Sequence, residues 1–291
     1  MGTQSASKAI VFDNILFATD FSKRSNEALP FALSISHKYG SRVFAVHVIA
    51  PPPLENFPTM EVQALAAQAV REAHDRAKAL APRLAHTPHE ILLRRGDIWE
   101  EFSAIAKDKK IDLIVLSTHG RTGVSKLLLG SVSERIFRHS SCPVLTVGPN
   151  VSAEPGSVAD VHTILCPIDF TAASLAALPY AVSLAQENQA RLYLMNVSAM
   201  PLTRHEETSL AARLRALVPL ETQLWCEPKT FVEYGDAADK ILEQAEELGI
   251  DVIVLGIRAV STLAGTRTHL GTATAYKIVS HAICPVLSVR G

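Results

Sequence analysis

Several features that would narrow the chemistry at once are missing. No Gly-x4-Gly-Lys-Ser/Thr segment occurs, which argues against a P-loop ATPase. The four cysteines, Cys142, Cys166, Cys226 and Cys284, form no Cys-x2-Cys pair, and no His/Cys cluster has zinc-ligand spacing. Three of them precede a proline beside an apolar strand, so they read as reduced, structural residues. No apolar run approaches ~18 residues, so no membrane-spanning helix is expected. The first residues, MGTQSASKAI, contain no apolar leader core, and the chain reads as soluble and cytoplasmic. Net charge is only −1, with no basic stripe, so a nucleic-acid partner is not expected. With 48% hydrophobic and 20% charged residues, the composition excludes a disordered chain.

What the chain does have is itself, twice. Asn14-Ile15-Leu16-Phe17-Ala18-Thr19-Asp20-Phe21 returns as Thr163-Ile164-Leu165-Cys166-Pro167-Ile168-Asp169-Phe170. Ile111-Asp112-Leu113-Ile114-Val115-Leu116 returns as Ile250-Asp251-Val252-Ile253-Val254-Leu255, and Cys142-Pro143-Val144-Leu145 as Cys284-Pro285-Val286-Leu287. A period near ~140 residues is far too long for a solenoid and signals a duplicated domain. The Gly- and Pro-containing stretch between the copies reads as a linker. The expected division is domain one at 1–148, linker at 149–162 and domain two at 163–291.

Each copy alternates strand and helix. In the first, strands are expected over Ile15–Asp20, Arg42–Ile49, Glu90–Arg94, Asp112–Leu116 and Val144–Val147. Helices are expected over Lys23–Tyr39, with Ser22 as N-cap, Thr59–Leu84, Asp97–Lys109 and a fourth with apolar Val132, Ile136 and Phe137. Continuous apolar strands spaced by helices imply a parallel sheet covered on both faces. Right-handed crossovers then give α/β architecture in two doubly wound, five-stranded domains. Ligands in such sheets sit beyond the carboxyl ends of the strands.

The stretch Leu116–Leu145, LSTHGRTGVSKLLLGSVSERIFRHSSCPVL, follows that logic. A buried strand leads to a glycine loop and then to a helix N-terminus. Unsatisfied first-turn N–H groups and the helix dipole suit a phosphate, and glycine lets backbone approach a ligand. The segment resembles the nucleotide-binding signature of the universal stress protein family, G-x2-G-x9-G-(S/T). Its positions are Ser117, Gly120, Gly130 and Ser131, with nine residues between the two glycines. Ser117 replaces the signature's first glycine, which removes freedom at positive φ. The resemblance spans nearly the whole chain, twice.

That resemblance implies a Rossmann-like, adenine nucleotide alpha hydrolase-like fold. It implies ATP or a related adenine nucleotide, with a Mg²⁺ ion carried on the phosphates. Carried over residue by residue, it nominates Ala18, Thr19, Asp20, Val48, Leu116, Ser117, Gly120, Gly130, Ser131, Val132 and Ser133. Asp20 would meet the nucleoside, the Val48 backbone the adenine, and Gly130 and Ser131 the phosphates. Two plainer readings stand beside this: Asp20 caps the following turn, and Gly130-Ser131 is an ordinary N-cap pair. His119, Arg121 and Lys126 are nearby cations that could meet phosphate oxygens.

The second copy departs from the signature. Gly256 stands opposite Ser117 and Ala259 opposite Gly120, and eleven residues, Val260–Leu270, precede Gly271-Thr272. Asp169 and Val197 persist. A degenerate second site is therefore expected. The family also implies association through the last strands, at Val144, Leu145, Val286 and Leu287, within one chain or in a homodimer. The resulting expectation is a nucleotide-binding stress or signalling module. A slow ATP hydrolase and a ligand-free scaffold remain the alternatives, and no catalytic residue stands out.

Overall fold

The computed structural model describes residues 10–50, 59–118, 130–151, 160–223, 226–258 and 270–291. The chain divides into two compact units, built on Phe12–Val147 and on Asp160–Gly291.

The first unit contains β1 (Asn14–Ala18), α1 (Lys23–Glu27), α2 (Leu29–Tyr39), β2 (Arg42–Ile49) and α3 (Thr59–Leu84). It continues with β3 (His89–Arg95), α4 (Ile98–Asp108), β4 (Leu113–Ser117), α5 (Ser131–His139) and β5 (Val144–Val147). The strands are parallel, in the order β3-β2-β1-β4-β5. Ile15, Leu16 and Phe17 of β1 are fully buried, as a strand covered on both faces demands. Strand order reverses between β1 and β4, so their carboxyl ends flank a crevice.

The long helix expected over Lys23–Tyr39 is two helices. Pro30 has no N–H for a helical bond and crowds the preceding turn, and the chain breaks at Ala28. Ser22 caps α1 as expected, its side chain accepting from the Ser25 N–H. Gly40 ends α2 at φ 68, and its N–H donates to the Ser36 carbonyl. Strand one stops at Ala18, short of the expected Asp20, so Thr19 and Asp20 belong to the loop beyond it.

The second unit holds β6 (Thr163–Pro167), α6 (Ala172–Asn188), β7 (Arg191–Ser198), α7 (Arg204–Ala216) and α8 (Leu220–Gln223). Then come β8 (Lys229–Tyr234), α9 (Ala237–Glu247), β9 (Val252–Ile257), α10 (Leu270–His281) and β10 (Val286–Arg290). Its parallel order, β8-β7-β6-β9-β10, has the same topology. Here α6 runs unbroken through Pro179, the counterpart of Pro30. Gly271 and Thr272 lie inside α10, not before it, so this helix has no Gly-Ser start like that of α5. All four cysteines are free thiols. Among the described residues, no helix is long and apolar enough to cross a membrane.

Candidate functional site

The carboxyl end of β1 turns sharply. Thr19 keeps its N–H on the Val46 carbonyl at 3.0 Å, so the chain is still pinned to β2 there. Phe21 then adopts φ 60, a left-handed conformation that costs a bulky residue roughly 1 kcal/mol or more. A hydroxyl network holds it in place. The Phe21 N–H donates to Thr19 Oγ1 at 2.9 Å, and Ser22 N–H donates to Asp20 Oδ1 at 2.9 Å. Ser25 Oγ donates to the Ser22 carbonyl at 3.1 Å, which leaves the Thr19 hydroxyl to donate to Ser25 Oγ at 3.0 Å. His47, next to last but one in β2, closes the turn from the other side. Its Nδ1 lies 2.8 Å from the Thr19 carbonyl oxygen, and its ring packs on Phe21 with centroids 4.7 Å apart.

Across the crevice, α5 begins at Gly130. The Gly130 N–H is held by the Thr118 carbonyl at 2.8 Å. Helices α1, α4, α6, α7 and α9 start under side-chain caps from Ser22, Asp97, Thr171, Thr203 and Asp236. By contrast, the N-cap of α5 is Gly130, which has no side chain to offer, and no described side chain caps this helix. Its first-turn donors lie at the positive end of the helix dipole. Ser133 is a strut between elements, with Oγ donating to the Ser117 carbonyl at 2.9 Å.

These groups surround one cavity of about 230 Å³. Ala18, Thr19, Asp20, Val48, Leu116, Ser117, Gly130, Ser131, Val132 and Ser133 all line it. Gly120 lies outside the described residues, as do His119, Arg121 and Lys126. Five lining residues are additional to the sequence-derived set: Ser25, His47, Ile98, Phe102 and Ile136. Ile98 and Phe102 stand four apart on α4, so they share one face. The strand–Gly96–Asp97–helix pattern carried the signal for them, because it places the start of α4 over the same sheet edge. The cavity floor is the apolar core itself. Val48, Phe102, Leu116 and Ile136 belong to a buried cluster, with Ala18, Ile98 and Val132 packed against it. A second cavity of about 340 Å³ shares Ile98, Ser131, Val132 and Ile136, and reaches Gly96, Trp99 and Arg135.

The second unit repeats the turn, with its following helix close against β9. Phe170 has φ 61, and Asn196, the counterpart of His47, donates Nδ2–H to the Ile168 carbonyl at 2.6 Å. A β-carbon built on Gly256 would lie 2.2 Å from the Ala173 carbonyl oxygen. The first turn of α6 therefore lies against the backbone of Gly256, the counterpart of Ser117, and leaves no room for a side chain there. The Asp169 carboxyl sits below the usual carboxylate range. Partial desolvation pulls it upward, but hydrogen bonds with Ser174 and Thr171 and the Arg258 charge outweigh that.

The Universal stress protein family profile matches residues 12–148 and 161–290, which together cover most of the chain. The chain belongs to the universal stress protein family. It is 33% identical over 141 residues to a universal stress protein of Methanocaldococcus jannaschii, covering 47% of this chain and 82% of the relative. It is 34% identical over 138 residues to one from Thermus aquaticus, covering 47% of this chain and 99% of that protein. The crystal structure of a universal stress protein from Archaeoglobus fulgidus shares the fold, with a TM-score of 0.70 at 20% identity. That alignment covers 95% of this chain and 98% of the other. These two relatives each match about one unit's length and the family profile matches twice, so this family member carries two copies.

Proposed function

We propose that the first unit binds ATP or a related adenine nucleotide and that the chain works as a cytoplasmic stress-response or signalling module. The observation that carries this reading is the pairing, across one apolar-floored cavity, of the Gly130-Ser131 start of α5 with the Asp20 carboxylate. The donors at Ser131 and Val132 suit phosphate oxygens, and Asp20 can accept from a ribose hydroxyl or a base amine. Val48 and Leu116 give a nucleobase an apolar bed. The two neighbouring cavities together fall within the size range of small-molecule sites, about 300–1,000 Å³. A Mg²⁺ ion would be held by the phosphates, because no group of three or more metal-binding side chains occurs among the described residues.

The second unit is proposed to bind nucleotide weakly or not at all; the departure of its loop from the signature and the close approach of α6 to Gly256 support this. The last strand of each unit, at Val144 and Leu145 and at Val286 and Leu287, is the candidate surface for association. Light scattering across a concentration series tests it. The functional test is direct. The protein is purified without added nucleotide and denatured, and the released small molecules are identified by mass spectrometry. About one adenine nucleotide per chain is expected. Two per chain would overturn the reading of the second unit. An empty protein that also ignores added MgATP would overturn the reading in favour of a ligand-free scaffold, and steady ADP release would make it a slow hydrolase.

A further inference from the structure

We infer that His47 is a positioning residue of the candidate nucleotide site, acting through the Thr19 carbonyl to hold the turn that presents Asp20. The inference rests on the nucleotide reading of the first unit.

A carbonyl oxygen can only accept, so the 2.8 Å contact makes His47 Nδ1 the donor. Thr19 is thereby tied on both sides, its N–H to the Val46 carbonyl and its carbonyl to His47. Two bonds at one residue fix the direction in which the chain leaves the sheet. The left-handed Phe21 comes next but one, and a strained residue persists only where its surroundings over-determine it. The His47 ring supplies one more restraint by packing on Phe21. Asp20 lies between these two anchored residues.

The second unit is an internal control. Asn196 makes the same bond to Ile168, and Phe170 has the same left-handed turn, with no imidazole present. What the turn needs is thus a donor at the first side-chain branch, not the ring. Asparagine supplies that donor at nearly the position of Nδ1, whereas phenylalanine keeps the ring and lacks the donor.

The experiment compares the wild type, His47→Asn and His47→Phe by calorimetric titration with MgATP, alongside amide spectra of each ligand-free protein. His47→Asn is expected to bind within about threefold of the wild type and His47→Phe at least about tenfold more weakly. The amide signals of Asp20, Phe21 and Ser22 should stay in place in the first variant and move in the second. In the wild type, ¹⁵N spectra of the ring should show a proton on Nδ1. Equal loss in both variants would overturn the inference, because the imidazole itself would then be contacting ligand. Full affinity in His47→Phe would overturn it as well. If the wild type binds no MgATP, the nucleotide reading falls. The anchoring of the turn is then decided by the spectra alone, and a neutral ring protonated only on Nε2 refutes it.

Discussion

Replacing Gly256 with the serine that stands at its counterpart should be among the most damaging single changes in the second unit. A β-carbon there lies 2.2 Å from the Ala173 oxygen, 2.4 Å from its carbonyl carbon and 2.5 Å from the Ser174 Cα. Favourable carbon contacts begin near ~3.5 Å, so the overlap is about 1 Å or more. All three atoms are backbone, and no rotamer change relieves them. The first turn of α6 must lift off β9, taking buried Ala173, Ala177 and Ala181 with it. Overpacking of this kind costs about 3 kcal/mol. In a unit of this length each kcal/mol moves the midpoint by roughly 4 °C, so Gly256→Ser should lower one unfolding transition by about 10 °C. The assay is differential scanning calorimetry of the full chain, with Ser117→Gly as the reciprocal control. That control should cost about what a strand glycine costs, about 1 kcal/mol. A Gly256→Ser protein melting within about 2 °C of the wild type would show that α6 does not sit against β9 as described, and one support for a degenerate second site would go with it.

In the first unit, Gly130→Val should weaken MgATP binding by about tenfold or more while costing the helix start about 1 kcal/mol. Gly130 has φ −58 and its β-carbon would stand 3.4 Å from the Thr118 oxygen, so the fold accepts a side chain there. Unchanged affinity by titration calorimetry would remove α5 from the site. Asp20→Ala should lose about tenfold in affinity, and Asp20→Asn should restore the turn bond to Ser22 but not the charge. Equal affinity of all three proteins would exclude Asp20 from ligand contact. Burial pushes the Cys166 and Cys284 thiols from an ordinary 9.0 up to about 12, with the Asp251 charge adding to Cys284. Raised folded-state values mean that this contribution is complete below about pH 9 and is lost as pH climbs toward about 12. Midpoints measured from pH 8 to 11 should fall, less steeply in Cys166→Ala. Parallel slopes for the two proteins would contradict the assignment.

Much of the architecture was legible because parallel strands buried on both faces leave continuous apolar runs, such as Ile111–Leu116. The duplicated blocks then set strand one, strand four and strand five in both halves. The site was legible for the same reason. Parallel strands put all their carboxyl ends on one side, so Ala18, Val48 and Ser117 had to converge although they are far apart in sequence. Residues that join the cavity through packing were not legible in this way. His47 is held by a carbonyl 28 residues away in sequence, and Ile136 joins through the buried cluster beneath the cavity. The break at Ala28 was missed because the apolar spacing of Lys23–Tyr39 continues across it, although Pro30 was in view. Gly256 shows the opposite limit. It can be read as the return of a signature glycine, but close approach of another segment's backbone is what it accommodates.

The cavity floor and the hydrophobic core of the first unit are the same side chains, and this couples occupancy to folding. A ligand that touches only the native state adds RT ln(1 + [L]/Kd), about 2.7 kcal/mol at a hundredfold excess over Kd. On the function proposed above, that increment would fall on the first copy alone. Two descendants of one duplicated domain, nearly matched in topology, would then differ in heat and protease resistance according to how much nucleotide surrounds them. The first copy would then report the nucleotide supply, and the second would be the fixed reference against which the report is read.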